Sequence, residues 1–80
     1  VKNKEQQMAT SKTNLKVFAE LEAALVEYGL AMKAEEAAKK VWELRRTASN
    51  DRKWSEAMDV TVKARNRVAT LSSRVAKALV

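Results

Sequence analysis

The sequence predicts an all-α fold, a long helical hairpin that assembles as a helical homo-oligomer. Three observations carry this. The 80 residues hold no Pro and a single Gly, so almost nothing punctuates the chain. Ala, Leu, Lys, Glu, Arg and Met dominate, and these lose little side-chain freedom in a helix. The large apolar residues recur at steps of three and four, whereas strand-like alternation goes no further than Val60-Thr61-Val62.

Residues 1–14 are polar, with Met8 the one large apolar group after Val1. They cannot bury enough surface to offset their ordering entropy, so a flexible arm or a weakly helical lead-in is expected. Residues 15–80 form the hairpin and oligomerisation domain, with Thr13 or Asn14 as N-cap.

The first helix is expected from Leu15 to Thr47. Phe18, Leu21, Leu25, Tyr28 and Met32 form one stripe on it, and Leu30, Ala34, Ala37, Val41, Leu44 and Ala48 form another. At about 100° per residue the stripes lie roughly 160° apart. The apolar side therefore changes over between Gly29 and Met32. Either the helix bends near Gly29, or it stays straight and its halves meet different neighbours. A break at Gly29 would give a monomeric three-helix bundle.

A turn is expected over residues 48–54, where Ser49, Asn50 and Asp51 compete with helix through local side-chain bonds. Asn50 or Ser55 would cap the second helix, and Asn50 could take a left-handed conformation closing the first. The second helix, Ser55 to Leu79, keeps one stripe throughout: Ala57, Val60, Ala64, Val68, Leu71, Val75 and Ala78. Its N-terminal acids and Lys77 suit the helix dipole. Two helices of such unequal length leave one apolar stripe uncovered, and a chain this small buries only about 60% of its unfolded surface. Phe18, Leu21, Leu25, Tyr28, Met32, Leu30, Val41 and Leu44 are therefore the expected contacts between copies.

Composition removes several chemistries. Without His or Cys, the chain has no zinc site, catalytic triad or Cys-His pair of its own. No apolar run reaches about 18 residues, so no membrane span or membrane partner is expected. Val1-Lys2-Asn3-Lys4 is not followed by the apolar block of a signal peptide. No catalytic residue, metal or cofactor is expected, and a cytoplasmic location follows.

The net charge is +6, and residues 41–80 carry nine Lys and Arg against four Asp and Glu. Lys63, Arg67, Arg74 and Lys77 fall within about 80° of arc on the second helix, and no acid follows Asp59. Such a row can track duplex DNA by its phosphates, with counterion release supplying affinity; the competing explanation is a solvated face. Arg45, Arg46, Arg52 and Lys53 cluster near Trp42 and Trp54, as an anionic-partner site or as the capped end of the hairpin core. Glu20, Glu22, Glu27, Glu35 and Glu36 read as solvent charges. Glu35 and Glu36 would pair with Lys39 and Lys40, and Glu20 and Glu27 with a neighbouring subunit.

The segment Ala24-Leu25-Val26-Glu27-Tyr28-Gly29-Leu30-Ala31, a basic polar turn, and the arginine-bearing Val68-Ala69-Thr70-Leu71-Ser72-Ser73-Arg74-Val75-Ala76-Lys77-Ala78-Leu79 together resemble the helical core of tailed-phage terminase small subunits. The resemblance spans roughly residues 15–79. It implies a ring of hairpin subunits in viral DNA packaging, acting in the host cytoplasm. It also implies a large terminase subunit, holder of the ATPase and nuclease, as a partner. The alternative is a structural helical scaffold that binds only proteins.

Overall fold

The computed structural model describes the backbone of residues 2–79 and the side chains of residues 15–79. It contains two helices, α1 (Lys2–Leu44) and α2 (Ala48–Leu79), folded antiparallel into one hairpin. Residues 2–14 belong to α1 as backbone. Their side chains, and the Thr13 or Asn14 cap, lie outside the described residues.

The helix α1 is unbroken through Gly29, which has no positive φ. The molecule measures 66 × 14 × 14 Å, the length of one straight 43-residue helix. The break that would have made three helices is thus absent. A Cβ placed on Gly29 meets nothing within 4 Å. Gly29→Ala is therefore expected to raise stability by up to about 1 kcal/mol in urea or thermal unfolding, from helix propensity and a stiffer unfolded chain. A loss of stability would mean that this stretch of α1 bends or is closely packed.

The turn falls earlier than the sequence suggested. Only Arg45, Arg46 and Thr47 connect the helices, and residues 48–54 are helical. Thr47, rather than Asn50 or Ser55, is the N-cap: its Oγ1 accepts from Asn50 N at 3.1 Å and its carbonyl from Asp51 N at 3.0 Å. Asn50 closes the end of α1 with its side chain, Nδ2 donating to Arg45 O at 2.9 Å, and not through a left-handed backbone. Ser49, Asn50 and Asp51 suit a first helical turn as well as they suit a loop, which is why their presence did not locate the boundary.

The seam between the helices follows a seven-residue repeat. On α1 it runs through Val17, Leu21, Ala24, Tyr28, Ala31, Glu35, Ala38 and Trp42, and on α2 through Asn50, Trp54, Ala57, Thr61, Ala64, Val68, Leu71, Val75 and Ala78, with Glu20, Gly29 and Met58 half-buried beside it. Steps alternating three and four keep one face of each helix on the other. Val60, expected in the α2 stripe, is exposed, and Thr61 takes its place. Its hydroxyl lies 3.0 Å from Ala57 O and 3.2 Å from Ala31 O, so it enters the seam with its polar atom satisfied and ties the two registers together.

The core is thin. Ala24 (1% exposed), Ala31 (7%) and Leu71 (5%) are its buried residues among those described. The change of side near Gly29 belongs to the large residues alone. The seam itself continues straight past it through Ala31, Glu35, Ala38 and Trp42. Leu21 and Tyr28 sit half-buried in this seam, while Phe18, Leu25 and Met32 beside them are exposed, as are Leu30, Val41 and Leu44 farther from it.

Candidate nucleic-acid interface

Lys63, Arg67, Arg74 and Lys77 run along one flank of α2 beside its seam, and all four are exposed. At 1.5 Å per residue the row extends about 21 Å. Thr70, within it, bonds its hydroxyl back to Asn66 O at 3.0 Å. Arg65 lies on a different side of the helix.

The row is not uniformly basic in its surroundings. Glu20 of α1 lines a groove with Arg67, Thr70, Leu71 and Arg74, and Glu27 lines another with Val60, Lys63, Ala64 and Arg67. Glu20 and Glu27 thus face bases of their own chain, where the sequence suggested a neighbouring subunit. They are seven residues apart, the repeat of the seam, so both occupy its edge. None of the four bases forms an ion pair within 4.0 Å among the described residues. Both ion pairs among the described residues lie within α1, Lys40–Glu36 at 3.6 Å and Lys39–Glu43 at 4.0 Å. Lys39 pairs forward with Glu43 because Glu35, its expected partner, is drawn toward the seam.

Comparison with family models, curated proteins and solved structures yields no match. The functional reading accordingly rests on the chain's own residues.

At the loop end, the rings of Trp42 and Trp54 lie 4.8 Å apart between centroids, tilted by 40°. The guanidinium of Arg46 sits 4.9 Å from the centre of the Trp42 ring. The two rings close the end of the seam, and Arg45, Arg46, Arg52 and Lys53 surround them on the exposed surface. The Trp54 indole Nε1 is buried without a partner. The acids of α1 do not converge: no group of three that could hold a metal ion occurs among the described residues. Nor is any described helix long and apolar enough to cross a membrane.

Proposed function

We propose that this chain is a non-enzymatic, self-associating helical adaptor that holds duplex DNA by its phosphates. The observation that carries the reading is the row of Lys63, Arg67, Arg74 and Lys77, four exposed cations on one rigid helix with no ion-pair partner among the described residues. A helix that is already formed holds its charges without further ordering cost, and released counterions supply the affinity. Self-association is supported by the imbalance of burial. Among the described residues, eleven large apolar side chains are exposed, whereas the buried set is two alanines and one leucine. The likeness to terminase small subunits supports the same reading, with a large terminase subunit as the further partner and the host cytoplasm as the place of action.

The second reading, a scaffold that binds only proteins, is favoured by one observation. Arg67 and Arg74 already face Glu20 and Glu27 across the seam edge. Fluorescence anisotropy with a short labelled duplex separates the two. Four phosphate contacts predict a salt slope of about −3.6, so affinity falls by roughly a hundredfold between 50 and 200 mM salt. No binding at low salt by an intact oligomer would leave the scaffold reading in place.

A further inference from the structure

The helix α1 carries a second stripe outside the seam, running from its outer side to a flank where Ala37 and Val41 also line a groove with Asn50 and Lys53 of α2. Ala19, Ala23, Val26, Leu30, Ala34, Ala37, Val41 and Leu44 are all exposed. Their positions on the helix lie between about 85° and 165° from the centre of the seam. Ala19, Leu30 and Val41 stand eleven residues apart, as do Ala23 and Ala34, and Val26 and Ala37. A repeat of eleven drifts by only about 20° per repeat, in the sense opposite to the sevenfold repeat of the seam.

We infer that this stripe is the contact between two copies of the chain, packed α1 on α1, antiparallel, about a two-fold axis near Met32. This rests on the self-association proposed above and specifies its face and geometry. The argument is self-complementarity, the requirement of a two-fold contact. Turning the stripe end for end about that axis places Leu44 against Ala19 of the second copy, and Val41 against Ala23. Val26 then meets Ala37, and Leu30 meets Ala34. Each pair sets a large side chain against a small one, so the helices approach closely without voids.

The flanking charges select the same orientation. On one edge, the antiparallel arrangement brings Glu22 to Lys40 of the second copy, twice by symmetry. Its one like-charge approach is Lys33 to its own copy, at the rim. A parallel, in-register pair would instead face the two edges against each other, bringing Glu22 toward Glu20 and Glu27 and Lys40 toward Arg45, and would stack Leu30 on Leu30 and Ala34 on Ala34. Exposed pairs of this kind add little affinity, but they discriminate between orientations.

Because the chain has no cysteine, single-cysteine variants report the geometry directly. Chains carrying Ala23→Cys are mixed with chains carrying Val41→Cys and oxidised gently. The mixed disulfide is expected to outweigh either like pair, since only paired positions bring the sulfurs within bonding reach. Sedimentation equilibrium supplies the second measurement. Leu30→Glu buries a charge twice per dimer and should raise the dissociation constant at least about a hundredfold while helix content stays unchanged. Like-pair disulfides in excess, or a dimer indifferent to Leu30→Glu that links through cysteines at Phe18 or Leu25, overturn this geometry and leave self-association standing. A strict monomer at high micromolar concentration removes both.

Discussion

Leu71→Ala is expected to destabilise the hairpin by about 2–4 kcal/mol. Leu71 is the one large side chain in the buried set, at 5% exposure. The contact between Thr61 and Ala31 sets the register, and at equal rise in both helices it brings Leu71 level with Leu21. Below and above that level the seam is mostly alanine or half-open side chains, so no neighbour is large enough to fill the space left by three missing carbons. For a domain of this size the loss corresponds to a melting temperature lower by about 10–25 °C. Leu44→Ala is the control. Leu44 is 85% exposed in the single hairpin, so its removal should change stability by no more than about 0.5 kcal/mol at low concentration. Circular dichroism melts of both variants, run dilute and at matched concentration, make the comparison. Equal melting temperatures would mean that α2 is not seated on α1 through Leu71.

How far the fold could be read in advance depended on what each residue had to decide. The helices, their antiparallel return and most of the α2 stripe follow from periodicity alone, because Ala57, Ala64, Val68, Leu71, Val75 and Ala78 repeat without interruption. The seam of α1 was obscured by its own composition. Ala24, Ala31 and Ala38 carry little apolar weight, Glu35 carries none, and the larger Phe18, Leu25 and Leu30 sit beside or behind it. A reading that weights residues by size follows the exposed stripes, and α1 accordingly has almost no net apolar direction while α2 has a clear one. Close approach of two helices is set by small residues, so the contact lies where the signal is weakest. The turn was misplaced for a related reason. Thr47 caps α2, but Ser49, Asn50 and Asp51 are the more conspicuous cap formers, and it is the bonds from Asn50 N and Asp51 N back to Thr47 that show α2 has begun before them.

The same geometry divides the basic row into two pairs that respond differently to neutralisation. Arg67 and Arg74 share grooves with Glu20 and Glu27, whereas Lys77 lines neither of those grooves and Lys63 meets only Glu27. Lys63→Gln with Lys77→Gln is therefore expected to remove two phosphate contacts at little cost to the fold. The salt slope of DNA binding should fall by about 1.8. Affinity near 50 mM salt should drop at least about tenfold, with the melting temperature unchanged. Arg67→Gln with Arg74→Gln should lower the slope equally and also lower the melting temperature by a few degrees, because two acids at the seam edge lose the bases facing them. Two double variants and two measurements, anisotropy against salt and thermal melting, resolve the cases. If only the arginine pair matters, and matters only to melting, the row is the charged edge of a coiled hairpin and the DNA reading fails. If the lysine pair changes the slope alone, this flank of α2 meets phosphate, and the arginines serve both the hairpin and the duplex.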